Sequence, residues 1–214
     1  SAVEPPITYS ALRPEEIRFT PLGESREMSA EEILSSTEKG VKYGHLIRGF
    51  DRYPLLFDSR GQVLSMPPIV NSEETKVTEE TRNLFIDATG PTPEVLEEAV
   101  SIIACNLAER GAQVESVLVE YPGGIHHWTC RLKPERMRVS PAQASELLGL
   151  HLDRHTFSRL LERARFGVRR LPGGKLEVLI PPYRCDILHW VDLAEEAAIS
   201  YGYDKLKPEP LRVA

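Results

Sequence analysis

The amino-acid sequence predicts an α+β fold in two parts. The first part is a domain of mixed or antiparallel strands with flanking helices, and the second is a small helical, winged-helix-like domain. Up to about residue 132, strand-like runs joined by turns alternate with capped helices. The pattern then becomes helix, helix, strand turn, helix. With 214 residues, 41% of them hydrophobic, the chain can bury a core in each part.

The first elements follow from local signals. Residues 1–14 carry prolines without periodicity, which predicts a linker or lead-in, and residues 16–22 alternate enough for a short strand. The segment Ser29-Ala-Glu-Glu32 is a capping box that opens a helix to about residue 39. Gly40 is predicted to end that helix in the left-handed conformation.

Hairpins and a longer helix complete the first domain, residues 15–136. The runs 53–58 and 62–66 form a predicted hairpin that the prolines at 67 and 68 end. A buried-type strand is predicted over 82–87. Thr92 then caps a helix that buries one apolar face and ends at Gly111 (Leu96, Ala99, Val100, Ile103 and Leu107). A second hairpin is predicted over 117–132.

The second domain, residues 137–214, begins after a boundary near residues 133–138. Ser140 opens a helix through a second capping box, and Asp153 caps the next helix. A turn at 172–174 leads into a strand over 176–180. A last helix runs from about Trp190 to Tyr201 and stops at Gly202.

Charge and composition exclude several classes of protein. The formal net charge of −6 argues against a surface wholly devoted to nucleic acid, although residues 131–175 alone carry eleven basic and four acidic side chains. The three cysteines lack a C-x-x-C pair, so no zinc knuckle is expected and all three are interpreted as buried thiols. No stretch is long and apolar enough for a membrane span, and no signal segment opens the sequence. A cytoplasmic location is therefore expected.

Four carboxylates form the strongest constellation near the end of the chain: Asp186, Asp192, Glu195 and Glu196. The last three share one helix face over one turn, and Asp186 can fold back onto it. Such crowding favours a cation, either a hard divalent ion such as Mg²⁺ or an arginine from a partner chain. The alternative interpretation is compensation of the helix dipole without any metal.

A second polar set lies at predicted strand ends: Ser65, Asn71, Ser72, Asp87 and Thr89. Adjacent strand ends could bring these hydroxyls and one carboxylate together at a cleft. From the residues alone, ordinary turn and capping chemistry is the favoured interpretation. The sequence contains no phosphate-cradling glycine motif, so ATP binding by this stretch is not expected.

Three motifs together resemble the beta subunit of phenylalanyl-tRNA synthetase of the archaeal/eukaryotic type. They are Val63-Leu-Ser-Met-Pro-Pro-Ile-Val-Asn-Ser72, Thr81-Arg-Asn-Leu-Phe-Ile-Asp-Ala-Thr-Gly90, and the pair Ile180-Pro-Pro-Tyr-Arg-Cys-Asp-Ile-Leu-His189 and Asp192-Leu-Ala-Glu-Glu-Ala-Ala-Ile-Ser-Tyr-Gly-Tyr203. The resemblance extends from about residue 42 onward. It implies that residues 15–136 are a B3/B4 editing unit and that residues 137–214 are a B5 unit.

The resemblance implies hydrolytic editing of Tyr-tRNA(Phe), a post-transfer activity of a ligase whose aminoacylation site lies elsewhere. A hydrophobic pocket cannot strongly reject a substrate that merely adds a hydroxyl, so a second, polar site is needed. In this family the editing pocket corresponds to Leu56, Ser65, Asp87 and Thr89, with Leu55 as the alternative register for Leu56. Ser65, Asp87 and Thr89 are the expected catalytic residues, and the identity of any general base stays open.

For the second domain, the resemblance implies a Mg²⁺ site at Asp186, Asp192, Glu195 and Glu196 that is shared with the alpha subunit and weak or absent in the isolated chain. The expected partners are the alpha subunit, in an alpha2beta2 assembly, and tRNA(Phe). The competing hypothesis is a non-catalytic module that binds tRNA and the alpha subunit. The basic stretch 131–175 fits that hypothesis equally well, and Cys185 and His189 have no evident role.

Overall fold

The chain divides into two compact units between Thr89 and Gly90 in a computed structural model that describes residues 3–206. Unit 1 precedes the division and unit 2 follows it. Both contain antiparallel sheets together with helices, so the predicted α+β class is confirmed. No helix within the described range is long and apolar enough to cross a membrane.

A four-stranded antiparallel sheet forms the centre of unit 1. Its strands, in spatial order, are β1 (Thr8–Leu12), β4 (Tyr53–Phe57), β5 (Val63–Met66) and β6 (Val70–Asn71). A two-stranded sheet of β2 (Arg18–Phe19) and β3 (Met28–Ser29) lies between β1 and β4 in the sequence. The predicted 53–66 hairpin is confirmed, whereas β1 lies in the segment 1–14 that was expected to be linker or lead-in. Its pairing with β4 supplies the long-range partner that local composition does not reveal.

Two short helices follow β3, namely α1 (Ala30–Ser36) and α2 (Glu38–Tyr43). The predicted capping box is confirmed, since the Glu32 amide donates to Ser29 Oγ at 3.3 Å and the Ser29 amide donates to Glu32 Oε2 at 2.8 Å. The predicted stop at Gly40 is wrong, because α1 ends at Ser36, with Thr37 as its C-cap, and Gly40 lies inside α2. A Cβ at Gly40 would stand 1.9 Å from the Ile33 carbonyl oxygen, so the glycine permits close backbone approach.

The core of unit 1 lies under one face of the sheet and is almost entirely aliphatic and aromatic. Its buried members are Ile17, Phe19, Met28, Ala30, Ile33, Leu34, Ile47, Tyr53, Leu55, Met66, Ile69 and Val70.

The predicted strand over 82–87 is wrong, since residues 81–90 pair with no strand among those the structure describes. An apolar run becomes a strand only where a sheet edge accepts it, and Leu84, Phe85 and Ile86 stay exposed here.

Unit 2 begins with α3 (Pro93–Glu109), followed by a hairpin of β7 (Leu118–Tyr121) and β8 (Ile125–Trp128). Helix and hairpin are confirmed, with Gly111 left-handed just past the helix end. The buried face of α3 differs from the prediction, because Ser101 and Ala104 are buried whereas Ile103 is exposed. The cysteine interpretation is also corrected: Cys105 and Cys130 are half-buried and Cys185 is exposed.

The rest of unit 2 is a three-helix module with a three-stranded sheet. The helices are α4 (Pro141–Leu148), α5 (Arg154–Arg163) and α6 (Trp190–Tyr201), and the sheet order is β10 (Gly167–Arg170), β11 (Leu176–Ile180), β9 (Glu135–Val139). The helices and β11 match the sequence prediction, whereas β9 and β10 add strands to it. The predicted domain boundary between residues 136 and 137 falls inside β9.

The helices α4 and α5 begin at the predicted caps, but the capping box predicted at Ser140 is only half formed, because the described hydrogen bonds include none from the Gln143 side chain back to Ser140. Ser140 Oγ accepts from the Gln143 amide at 3.4 Å, and Asp153 Oδ1 accepts from the Thr156 amide at 2.6 Å. The helices and the sheet enclose one apolar core: Val139, Ala144, Leu152, Phe157, Leu160, Leu161, Phe166, Leu176, Val178, Ile180, Ile187, Leu193, Ala194 and Ala197.

Candidate functional site

A row of side chains crosses the unit 1 sheet on the face away from its core. Leu56 of β4 pairs with Ser65 of β5, and Ser65 pairs with Asn71 of β6. On the other side, Leu56 pairs with Tyr9 of β1. Residues paired directly across antiparallel strands share a face. Leu55 belongs to the core on the opposite face, so Leu56 is the leucine that lies beside Ser65.

A cavity of about 290 Å³ opens over this row. Ser65, Asp87 and Thr89 all line it, so the structure brings three of the four expected editing residues to one place. Leu56 lies beside Ser65 in register but is not among the lining residues. The remaining lining residues are Lys39, Pro67, Pro68, Ile69, Val70 and Asn71.

The Ser65 hydroxyl is the one buried side-chain polar atom in the described range without a hydrogen-bond partner. Ser65 is only 5% exposed. Burying an unpaired hydroxyl costs free energy, and native proteins satisfy nearly all such groups. The Ser65 hydroxyl, which lines a cavity, is therefore free to form a hydrogen bond with a water molecule or a ligand there.

The Asp87 carboxyl is the titratable group of this cavity. Partial removal from water raises the pKa of Asp87 above its usual range, although the side chain keeps contact with solvent. Burial and the nearby Asp87 carboxylate likewise raise the pKa of the Tyr9 phenol. Two hydroxyl groups and one carboxyl group that can exchange a proton thus line the same polar cavity.

A larger hollow of about 660 Å³ lies in unit 2 at the loop between α4 and α5. It is a less convincing site despite its size. Ser145, which lines it, uses its hydroxyl fully, donating to the Leu152 carbonyl at 3.0 Å and accepting from the Leu152 amide at 3.2 Å. No buried side-chain polar atom that lines this hollow, within the described range, lacks a hydrogen-bond partner.

The four carboxylates of unit 2 do not gather around a common point. Arg184 holds two of them: it donates to Asp186 at 2.9 and 2.6 Å and to Glu196 at 2.7 Å. Asp192 Oδ2 accepts from the amides of Leu188 and His189 at 2.8 and 2.6 Å. Across residues 3–206, no group of three or more His, Cys, Asp or Glu side chains is arranged to hold a metal ion.

The same contacts give His189 a role and leave Cys185 exposed without one. His189 is the N-cap of α6, and its Nδ1 accepts from the Val191 amide at 3.4 Å. Arg184 and Tyr9 are the site neighbours that sequence reasoning missed. The position of Arg184 two residues before Asp186 could have indicated an ion pair. Tyr9 lies in a strand that the sequence analysis missed because prolines occur on both sides of it.

Comparison with known proteins finds similarity to one kind of protein over nearly the whole chain. Residues 137–203 match the family model described as tRNA synthetase B5 domain. A phenylalanine–tRNA ligase beta subunit from Methanothrix thermoacetophila is 44% identical over 98% of this chain and 38% of its own length. One from Pyrococcus furiosus is 45% identical over 99% of the chain and 38% of its own length. The chain is thus similar, over nearly all of its length, to part of phenylalanine–tRNA ligase beta subunits.

A solved structure supports the same assignment for the fold. An N-terminal fragment of the phenylalanyl-tRNA synthetase beta subunit from Pyrococcus horikoshii superimposes with a TM-score of 0.90. It is 41% identical, and the match covers 94% of this chain and 58% of that one. The chain therefore spans less than two-fifths of the curated beta subunits it matches.

Proposed function

We propose that unit 1 hydrolyses mischarged Tyr-tRNA(Phe), as the editing site of a phenylalanine–tRNA ligase. The observation that carries the proposal is the orphaned Ser65 hydroxyl at a polar cavity that Asp87 and Thr89 also line. A tyrosyl group differs from a phenylalanyl group only by its phenol hydroxyl, which a phenylalanine-sized hydrophobic pocket does not strongly reject. A polar cavity with unmet hydrogen-bonding capacity is suited to that selection.

The residues divide between binding and hydrolysis. Ser65 and Thr89 donate or accept hydrogen bonds to the aminoacyl group, and Asp87 binds its ammonium or orients a water towards the ester carbon. Leu56 packs against the ring from the strand beside Ser65. Lys39, a further lining residue, brings positive charge to a site that must accept the polyanionic end of a tRNA.

The proposal is tested by Asp87→Asn in the ligase assembled with its alpha subunit, following the decay of preformed Tyr-tRNA(Phe). Loss of a positioned acid–base or water-orienting group typically costs 10²-fold or more, so hydrolysis is expected to fall by about 10²-fold. Aminoacylation with phenylalanine is expected to stay unchanged. Unchanged decay of Tyr-tRNA(Phe) would remove Asp87 from the reaction and leave the cavity without an assigned chemistry.

The control for this variant is its stability. A folded-state pKa above the unfolded value means that the folded protein prefers the protonated carboxyl, so its contribution to stability is present at low pH and lost as the pH rises through the folded pKa. At neutral pH, Asp87→Asn is therefore expected to leave the melting temperature unchanged or slightly higher. A loss of hydrolysis then reflects chemistry and not unfolding.

For unit 2 we infer docking of the alpha subunit and contact with tRNA, which is the non-catalytic role. The specific observation is the outer face of the three-stranded sheet. Arg138 and Arg169 both pair across the strands with Glu177, and Arg136 lies on the same face two residues from Arg138. Glu177, the acid among them, contacts Arg169 at 3.9 Å. The face therefore carries excess positive charge suited to phosphate.

The RNA contact is tested with Arg136→Gln and Arg138→Gln, measuring tRNA(Phe) binding by the assembled ligase at several salt concentrations. Each lost phosphate contact is expected to weaken binding and to reduce the slope of log K against log salt by about one. Editing of bound Tyr-tRNA(Phe) at saturation is expected to persist. An unaltered salt slope would contradict RNA contact by this face. We do not propose the magnesium role that the resemblance implies, because Asp186, Asp192 and Glu196 already accept hydrogen bonds within the chain.

A further inference from the structure

The carboxylate cluster of unit 2 already contains a cation, and that cation is an arginine of the same chain. Arg184 contacts Asp186 through both Nε and Nη2, which is the bidentate geometry that matches a guanidinium to a carboxylate. Its Nη2 also donates to Glu196 at 2.7 Å. One planar group thus joins a carboxylate of the loop after β11 to a carboxylate of α6.

The surroundings of the guanidinium fix it in this position. The Arg184 and Glu196 side chains are 20% and 17% exposed, so their ion pair is largely removed from solvent. The guanidinium carbon lies 5.1 Å from the centre of the Phe166 ring, and Phe166 belongs to the core of unit 2. A weakly hydrated arginine tolerates such a position better than a strongly hydrated ion does.

The other two carboxylates are unsuited to complete a metal site. Asp192 accepts two backbone hydrogen bonds through Oδ2 and caps the start of α6, so a metal would have to share this carboxylate with the cap. Glu195 is exposed and makes no hydrogen bond or ion pair with any residue that the structure describes. The residues present therefore do not fit the Mg²⁺ that the family resemblance implies.

We propose that Arg184 takes the place of a divalent cation in this cluster and makes it a metal-independent clasp between the loop 181–186 and α6. The clasp neutralises two carboxylates that would otherwise repel each other. It also holds α6, whose inner face carries the buried Leu193, Ala194 and Ala197, against the sheet from which the loop leaves. An ion that entered the cluster would have to displace a tethered, bidentate guanidinium.

The first test measures metal binding directly, by titrating Mn²⁺ into the 214-residue chain and following the electron paramagnetic resonance signal of the free ion. The expected result is no saturable binding at millimolar Mn²⁺. The same titration of the assembled ligase, with and without Asp186→Asn, is expected to give equal numbers of bound ions. Saturable binding that Asp186→Asn or Glu196→Gln abolishes, in either preparation, would overturn the proposal.

The second test measures what Arg184 contributes. Arg184→Gln is expected to lower the melting temperature of the chain by roughly 4 °C. The unaltered chain is expected to have the same melting temperature in Mg²⁺ and in EDTA. Arg159→Gln removes an exposed arginine of α5 that has no described ion pair, and it is expected to change little. Equal effects of the two substitutions would contradict the clasp. Should Arg184→Gln not fold, Arg184→Lys keeps the positive charge but loses the bidentate geometry of the guanidinium. Its melting temperature is expected to lie between that of the unaltered chain and that of a chain without the clasp.

Discussion

The cavity of unit 1 and the carboxylate cluster of unit 2 both bring acidic and polar side chains together, but their hydrogen bonding is opposite. In the cavity, the Ser65 hydroxyl is buried without a partner, and partial burial raises the pKa of Asp87. In the cluster, Asp186 and Glu196 share a guanidinium, and Arg184 lowers the pKa of Asp186. The Ser65 hydroxyl lacks a partner within the chain, whereas Asp186 and Glu196 have one.

This difference separates a site for a ligand from a structural contact. Unmet hydrogen-bonding capacity in a buried group is unfavourable for stability alone, so its presence at a cavity points to a molecule that binds there. Carboxylates that are fully hydrogen-bonded within the chain stabilise the fold and have little affinity left for a ligand. Proximity of acids in the sequence does not distinguish the two cases. The following experiments test whether the distinction holds.

The largest expected effect is the pH dependence of editing. If the ionised Asp87 acts in hydrolysis, the rate falls about tenfold for each pH unit below its folded pKa. Because that pKa is raised, the decline begins at a higher pH than an ordinary aspartate would produce. Single-turnover hydrolysis of Tyr-tRNA(Phe) across acidic pH, corrected for spontaneous ester hydrolysis, measures it.

The matched control for the pH profile is Asp87→Asn, which has no titrating carboxyl at this position. Its residual rate is expected to be flat over the range in which the unaltered enzyme declines. The same dependence of the hydrolysis rate on pH in both proteins would show that another group titrates and that Asp87 does not take part in hydrolysis.

The next effect compares two buried serines of unit 1. Ser65→Ala is expected to lower hydrolysis of Tyr-tRNA(Phe) about tenfold while leaving the melting temperature nearly unchanged, because no hydrogen bond within the chain is lost. Ser72 Oγ accepts from the Glu74 amide at 3.3 Å. Ser72→Ala is therefore expected to cost about 1 kcal/mol of unfolding free energy without a direct effect on hydrolysis.

Thermal unfolding and the deacylation assay together decide this comparison. The informative result is a crossed pattern, in which one substitution changes activity and the other changes stability. If Ser65→Ala were as destabilising as Ser72→Ala, the Ser65 hydroxyl would have a partner within the fold, and the main support for a ligand site would be lost.

The sequence predicted those elements that depend on near neighbours. The capping box at Ser29, the caps at Ser140 and Asp153, and the 53–66 hairpin all rest on interactions within a few residues, and all are present. Strands β9 and β10 could not be predicted in the same way. Their sequences, Glu-Arg-Met-Arg-Val and Gly-Val-Arg-Arg, are rich in charge, and they become strands because both pair with β11.

The candidate sites show the same limit. Ser65, Asp87 and Thr89 were identified through motifs, and their gathering at one cavity depends on how the segment 81–90 returns to the sheet. The error over 82–87 arose from treating an apolar run as a strand, although no sheet edge in the described residues receives it. Arg184 was overlooked because one of its partners, Glu196, lies twelve residues further along the chain. Sequence spacing placed Asp192, Glu195 and Glu196 correctly on α6 but could not show which of the four carboxylates were already paired.

A smaller effect is expected from the cap of α6. Asp192→Ala removes the acceptor of two amide hydrogen bonds and is expected to cost about 1 kcal/mol, equal in Mg²⁺ and in EDTA. Thermal unfolding in both buffers measures it. Asp192→Asn, which keeps one acceptor oxygen, is expected to lose less. A cost seen in Mg²⁺ but absent in EDTA would indicate that Asp192 binds the metal and would remove the contrast between the two sites.

The smallest effect comes from neighbouring glutamates in α6. Glu196 is paired with Arg184 and is mostly buried, whereas Glu195 is exposed and makes no contact of this kind within the described range. Glu195→Gln is therefore expected to change the unfolding free energy by less than about 0.5 kcal/mol, and Glu196→Gln to cost about 1 kcal/mol. Chemical denaturation, analysed with the same dependence of unfolding free energy on denaturant concentration for both variants, measures the difference. Equal costs would mean that Glu195 also has a cationic partner, and a metal shared by both glutamates would then explain the cluster better than Arg184 does.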